Sequence, residues 1–341
     1  MNAYFGLDIG SSSIKVTKSS LLGSKAFSVE ANGLAMNPAG STDFSNPVVT
    51  AKLGPAIKQL LSETKIKEKR VVVAIAESRV YSRILTMPQM SEAELSSAIK
   101  WEAEQFVPIP VAEVELDFSI LEQQVAGASD KKMLVYLVAA PKNYLQAMVN
   151  FLTGIGLEPI AVESEMVAVS RALTFGNPAS TSMILHMGAM SSVLAIVDGT
   201  SLSFAYVTES GGVSLTRALA QSLSLPLPQA EEYKRTYGLD PAQMEGKVKT
   251  GLQIILDGIV NEMRKAMEYH LSSRKTRVTR IVLSGGGAYL PEFSVYLSEI
   301  FGGIEVVVGD PYAVAKASRG VVIPRERSAY SVAVGLSQRV F

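Results

Sequence analysis

The stretch FGLDIGSSSIKV (residues 5–16) places an aspartate, a glycine, three serines and a lysine inside one apolar hairpin pattern. Gly10, Ser11, Ser12 and Ser13 fall in the turn. Successive backbone N–H groups in such a turn form a concave nest that binds anions, phosphate above all. Serine hydroxyls add donors, and Lys15 can meet a phosphate as a point charge. Asp8 suits different chemistry, because a carboxylate repels phosphate but holds the water shell of Mg2+. Gly and Ser are also ordinary β-turn residues, so this stretch alone supports a plain turn equally well.

The same layout returns in MILHMGAMSSVLAIVDG (residues 183–199), where Gly188, Ser191 and Ser192 occupy the turn. An internal repeat carries more weight than either copy. Two such hairpins facing each other would clamp a polyphosphate from both sides. A third small-residue turn, SGGGA, supplies Gly285, Gly286 and Gly287, which let backbone approach a flat ligand closely; its plain reading is a flexible connection. Gly212 opens a helix pattern, and Glu231 and Lys234 lie one turn apart on a later helix. That pair suits a ribose and a base edge, or simply a surface ion pair.

The two hairpins differ at one position. Where the first has Asp8, the second has His186. Neutral imidazole exchanges single hydrogen bonds and carries no negative charge, so it holds a hydrated Mg2+ less well. The plain reading of His186 is a side chain that packs at a strand end.

Other chemistries are excluded. There is no G-x-x-x-x-G-K-[ST] and no G-x-G-x-x-G after a strand. The absence of cysteine removes disulfides and thiolate metal sites, and His186 and His270 are the only histidines. Lys+Arg and Asp+Glu balance at 32 each, which gives no electrostatic case for nucleic acid. Asp8 interrupts the N-terminal apolar residues, unlike a signal peptide, and no apolar run reaches membrane-spanning length. The expectation is a soluble, cytoplasmic chain.

The elements that must position these residues read as follows. Residues 4–9 and 14–18 form the first hairpin, 26–34 a third strand, 55–63 a helix and 71–76 a strand buried on both faces. Residues 81–159 form one β-α-β-β-α unit, with Ser91 and Glu94 as a capping box, prolines at 108 and 110 ending the helix, and a turn at 129–132. A strand passes into a helix over 160–172. After the second hairpin come a strand at 203–208, helices at 213–223, 229–237 and 250–274, a strand at 280–283, a helix at 290–301, a strand at 304–308 and a terminal helix at 330–339.

Two phosphate hairpins, a Gly-rich turn and a final helix carrying AVGL resemble the actin/DnaK-type/hexokinase ATPase fold. The resemblance assigns residues 5–16 to phosphate-1, 162–173 to connect-1, 184–197 to phosphate-2, 281–288 to adenosine and 331–338 to connect-2. It implies an α/β, actin-like (ribonuclease H-like) two-lobe fold with an inserted α+β subdomain. Residues 1–80 with 160–179 and 317–341 would form one lobe, 81–159 the insert, and 180–316 the other lobe, with 225–260 as peripheral helices on the nucleotide side. Within that fold, AIKWEAEQFVPIPVAEVELDF (98–118) and LVAAPKNYLQAMVNFLTGIGLEPIAVESEMVAVSRAL (137–173) are similar to the PilM family of type IV pilus assembly. These segments form the subdomain that this family shares in position with FtsA; the membrane-binding helix that ends FtsA is not expected, because the chain stops at Phe341.

The resemblance implies ATP with Mg2+ between the lobes, Gly335 of connect-2 beside the nucleotide, and Glu163 of connect-1 positioning the attacking or metal-bound water. It implies a scaffold that binds the cytoplasmic N-terminal tail of the membrane protein PilN. Through it the inner-membrane complex would be linked to the pilus motor ATPases and platform protein, with membrane association indirect. Self-association is left open. Because His186 replaces the second carboxylate, ATPase activity is expected to be weak or absent; an FtsA-like division or secretion protein and an active ATPase are the alternatives.

Overall fold

Alternating apolar residues close the first hairpin. β1 (Phe5–Ile9) and β2 (Ser13–Leu21) pair antiparallel with Leu7 opposite Val16 and Ile9 opposite Ile14, all buried. β3 (Phe27–Met36) follows β2, and α1 (Pro47–Glu63) covers the sheet with Val49, Leu53, Ile57 and Leu60. This helix starts eight residues before the expected position 55, because Asn46 caps it and Pro47 sits in its first turn, where a missing N–H costs nothing. Pro55 lies inside the helix on its exposed side.

β4 (Arg70–Ile75) runs parallel to β1 and leads through a 3-10 turn into the insert. The expected insert spans β5 (Tyr81–Pro88), α2 (Glu92–Phe106), β6 (Val114–Glu122), β7 (Lys132–Pro141) and α3 (Lys142–Gly154); the first four share one core, whereas α3 packs Met148 and Leu152 into the core of the first sheet. Ser91 and Glu94 form both bonds of the capping box. β8 (Glu158–Ser164) returns to the first sheet beside β4, and α4 (Glu165–Thr174) follows directly. The structure, a computed structural model, describes residues 3–123, 131–176 and 179–341. Residues 129 and 130 of the expected 129–132 turn lie outside the described residues.

The second hairpin is β9 (Ala179–Met187) and β10 (Ser192–Gly199), extended by β11 (Ser201–Thr208). Then come α5 (Gly212–Leu223), α6 (Leu227–Tyr237), α7 (Lys247–Arg274), β12 (Arg280–Ser284), α8 (Phe293–Ile300), β13 (Glu305–Val308), β14 (Ala315–Ala317) and α9 (Ser331–Ser337). The short β14, absent from the sequence reading, pairs with β3.

The two large sheets repeat one topology. The first runs β14-β3-β2-β1-β4-β8 and the second β11-β10-β9-β12-β13; β5-β7-β6 form the third. Each large sheet contains an antiparallel meander of three strands followed by two parallel ones, and β14 adds a sixth strand to the first, parallel to β3. Between them lie α4 and α9, where Met166, Val169 and Leu336 pack with Val72 of the first sheet and Ile184 and Val193 of the second. The C-terminal ends of β1 and β9, which carry the two turns, therefore border the same central layer.

Candidate nucleotide site

The two turns close alike. Gly10 N–H donates to Ser13 O at 3.0 Å, and Gly188 N–H donates to Ser191 O at 2.9 Å. In both, structural donors draw carbonyls away from the turn. Asn37 takes Gly10 O with its side chain (2.9 Å) and Ser12 O with its backbone N–H (2.9 Å). At the second turn the start of α5 does this work: Gly212 and Val213 N–H groups bond Gly188 O (3.0 Å) and Ala189 O (2.8 Å). Ser192 is fixed through its hydroxyl to Ser210 O at 2.5 Å. A turn whose carbonyls are occupied behind it leaves its free N–H groups as the donors an anion requires; the Ser192 hydroxyl is not among them, being buried and spent on Ser210 O. Ser11 and Ser13 are half-buried and Ser12 is exposed.

Asp8 and Lys15 are cross-strand partners and form an ion pair at 3.0 Å. His186 occupies the matching position of the second hairpin, opposite Val193, and turns sideways instead. Its Nε2 meets Glu165 Oε1 at 3.2 Å and its Nδ1 meets Ser284 Oγ at 3.0 Å. Glu165 is the first residue of α4, so this contact joins the first lobe to the second. Burial pushes the Glu165 carboxyl up, but the hydrogen bond and charge of His186, the Glu77 amide and Lys15 together hold it below the usual range.

Gly285 adopts φ +80°, and its N–H donates to Ser328 O at 3.2 Å. A Cβ there would lie 2.5 Å from Met187 O, so the turn presses against the end of β9. A Cβ on Gly287 would strike the Met187 side chain at 2.4 Å. Gly286 faces open space, with nothing within 4 Å of an added Cβ. Lys234 is buried and donates to Gly212 O (2.9 Å), Thr216 Oγ1 (2.8 Å) and Glu231 Oε2 (2.7 Å). These bonds tie α6 to the start of α5 and so to the second turn. Burial acts to raise the Glu231 carboxyl, but Lys234 and Thr216 hold it low.

The expected residues thus gather around the second hairpin (Gly188, Ser191, Ser192, Gly212, Glu231, Lys234 and the three glycines of SGGGA) and at the first (Asp8 to Lys15). Two stand apart. Glu163 is buried and held by Arg171, through two hydrogen bonds, and by Arg339 at 3.0 Å. It is a neutralised carboxylate rather than one free to orient water. Gly335 faces α4: a Cβ would lie 1.8 Å from Ala168 O, and its own carbonyl accepts from Arg171 at 2.7 Å. Its role is close helix packing. Sequence reasoning misses Glu165, two residues after Glu163, and Asn37. The signals present are Ser164 acting as an N-cap before Glu165 and the Asn-Pro-Ala-Gly turn that starts at Asn37.

The first hairpin offers a metal one carboxylate, already paired with Lys15. Among the described residues no group of three His, Cys, Asp or Glu side chains is placed to hold a metal ion. These residues do not form a protein-built magnesium site.

The family described as type IV pilus assembly protein PilM matches residues 6–341. The chain belongs to the PilM family. A solved structure titled as a PilM-PilN type IV pilus biogenesis complex is similar with a TM-score of 0.83 and 26% identity, covering 98% of each chain. Two other structures share the fold at lower identity. MreB 5 of Spiroplasma citri bound to AMPPNP has a TM-score of 0.57 and 11% identity, covering 98% of this chain and 95% of that one. The ethanolamine utilization protein EutJ from Carboxydothermus hydrogenoformans has 0.55 and 15%, covering 99% and 89%. The fold is actin-like, with the two large sheets of matching topology as its two lobes and a third, three-stranded sheet beside them. Among the described residues no helix is long and apolar enough to cross a membrane.

Proposed function

We propose that this protein is a nucleotide-binding scaffold of type IV pilus assembly that holds the cytoplasmic N-terminal tail of PilN. The observation that carries the nucleotide half is the pair of matched turns, each with its carbonyls tied back, at the ends of duplicated strands on one central layer. In this reading ATP phosphates sit on the two turns with Lys15 as the charged contact, and the adenosine lies against Gly285, Gly286 and Gly287, with Glu231 and Lys234 shaping the far wall. Magnesium enters as the nucleotide's own counter-ion, with Asp8 the one carboxylate near it. Hydrolysis is slow, because His186 replaces the second carboxylate and Glu163 is neutralised by two arginines.

For PilN, the support is family membership and a solved relative whose title names both proteins. A cleft of about 410 Å3 suits an extended peptide; Ser119 and Leu121 of β6, Val167 of α4, Phe175 just beyond that helix, and Leu202 of β11 line it. The protein then works at the inner face of the membrane, through PilN, with motor ATPases and the platform protein as further partners.

Gly286→Val tests the nucleotide half. The added Cβ meets no neighbour, so the fold tolerates it while the adenosine turn is filled. Wild type is expected to bind ATP in calorimetry and the variant to lose at least tenfold in affinity. A wild type that shows no ATP binding ends this reading. Capture of the PilN tail peptide from solution tests the other half, and capture of FtsZ instead would point to a division protein.

A further inference from the structure

The chain as a whole is balanced in charge, with 32 Lys+Arg against 32 Asp+Glu, but one edge of it is not. The segment KASRGVVIPR (316–325) carries Lys316, Arg319 and Arg325 and no carboxylate. It runs along the outer side of β3. β14 pairs there in parallel, with Lys316 opposite Ser28. Ser318 N–H then donates to Val29 O at 2.9 Å, and the Asn32 side chain donates to Val322 O at 3.1 Å. The three cations are exposed, and among the described residues none of them pairs with a carboxylate. Arg327, just beyond, is paired with Asp310 at 2.7 Å.

The same edge exposes apolar side chains. Val322 is 79% exposed although its carbonyl is tied to Asn32. In the turn from β2 to β3, Leu21 and Leu22 are 40% and 49% exposed, and Lys25 follows them, also exposed. This turn sits where β14 starts. Leu21 pairs with Phe27, Phe27 pairs with Ala315, and a Cβ on Gly176 would touch both Lys25 O (2.6 Å) and the Val314 side chain (3.3 Å). From Phe27 to Asn32 a strand advances only about 17 Å, so cations and apolar tips share one short strip.

Cations interspersed with aliphatic tips suit an anionic bilayer surface. The cations meet lipid phosphates, and the aliphatic tips enter the boundary of the acyl chains. Single-stranded nucleic acid would call for aromatic platforms, and residues 316–325 contain no aromatic side chain. The placement agrees. Ser24 and Lys25 of the same turn line the cleft read above as the seat of the PilN tail. A tail that leads back to a membrane protein brings the rim of its cleft close to the bilayer.

We propose that this edge, residues 21–25 with 316–325, rests on anionic lipid headgroups. Each cation at such a surface is worth about fivefold in affinity, so the free protein binds weakly. A tether through the partner's tail would hold the strip at an effective concentration of about millimolar and make the contact persistent. Only the orientation rests on the PilN reading; the lipid surface rests on the strip itself. Full-length protein is sedimented with vesicles of about 40% phosphatidylglycerol in phosphatidylcholine, and with vesicles of phosphatidylcholine alone, at about 0.1 M and about 0.5 M salt. Wild type is expected to prefer the anionic vesicles by about tenfold or more at the lower salt and to lose most of that preference at the higher. Lys316→Glu with Arg319→Glu should abolish the preference, and Val322→Ser should weaken it about threefold. Both variants should bind PilN tail peptide as wild type does, which shows an intact fold. Equal partition of wild type onto the two vesicle types, binding to neither, or a preference that survives the charge reversals overturns the proposal. Binding to an oligonucleotide without binding to anionic vesicles overturns it too. If the peptide does not bind wild type, the PilN reading has failed, and the vesicle comparison still decides the lipid surface.

Discussion

In the first hairpin the residue two before the turn glycine, Asp8, faces Lys15 across the ladder. In the second hairpin the residue at that register is His186, and it faces Val193. The turns themselves match closely in their closing hydrogen bond, 3.0 against 2.9 Å. One cross-strand substitution therefore separates two behaviours. Asp8 finds its counter-charge inside its own hairpin. His186 has an apolar partner opposite and must look outside, to Glu165 on the other lobe and Ser284 on the next strand. The first hairpin is electrostatically self-contained, its lysine paired with its own aspartate. The second uses its polar residue to hold the lobes together.

The largest effect should come from breaking the first half of that contrast. If Lys15 meets the phosphates as proposed, Lys15→Met removes a charge-assisted contact worth about 1.5–3 kcal/mol, or roughly 10- to 100-fold in ATP affinity. Calorimetry that finds the affinity unchanged would show that the first hairpin does not carry the phosphate charge. The second half is broken by His186→Ala, which leaves half-buried Glu165 and buried Ser284 without their shared partner. About 1–3 kcal/mol of stability should be lost, read as a lower urea midpoint at unchanged slope. An unmoved midpoint would mean that the lobes are held without this contact.

The smallest effect sharpens the contrast at the anchor itself. Glu77 and Glu165 are neighbours with opposite shifts. Burial raises the Glu77 carboxyl, against the bonds of Ser164, Ser82 and Tyr136, with the Glu165 charge adding to the rise. Its contribution to stability is present below the ordinary carboxylate range and lost as pH climbs through the raised value. Glu165 is held low, so its contribution is present above that range and lost as pH falls through the lowered value. Glu77→Gln removes only the first dependence. Between about pH 5 and about pH 8 the variant's melting temperature should rise relative to wild type. Equal differences at both ends of that window would exclude Glu77 as the group responsible.

Much of this is legible from residue order. The hairpins, the Ser91–Glu94 capping box and the helix ending before Pro108 depend on hydrogen bonds and periodicities within a few residues. The start of α1 is harder to place, because Pro55 looks like a beginning although Asn46-Pro47 supplies a cap and a first-turn proline. β14 escapes notice because three residues carry no usable period. Among the site residues, the turns and glycines stand out by type, since nests and close approaches demand small residues. Glu163 and Glu165 cannot be ranked by order alone, because the passage from β8 into α4 does not reveal which of the two meets an arginine.

The two turns, their repetition, and the exchange of aspartate for histidine in the second are set by residue order, because each is a property of neighbouring residues. What those residues meet is set by tertiary packing. Glu163 is captured by Arg171 and Arg339, Gly335 lets α9 lie on α4, and Glu165 rather than Glu163 reaches His186. Most of those pairings join segments far apart in the chain, and they exist because the two lobes close on a shared layer of helices that brings strand ends of different sheets within hydrogen-bonding distance.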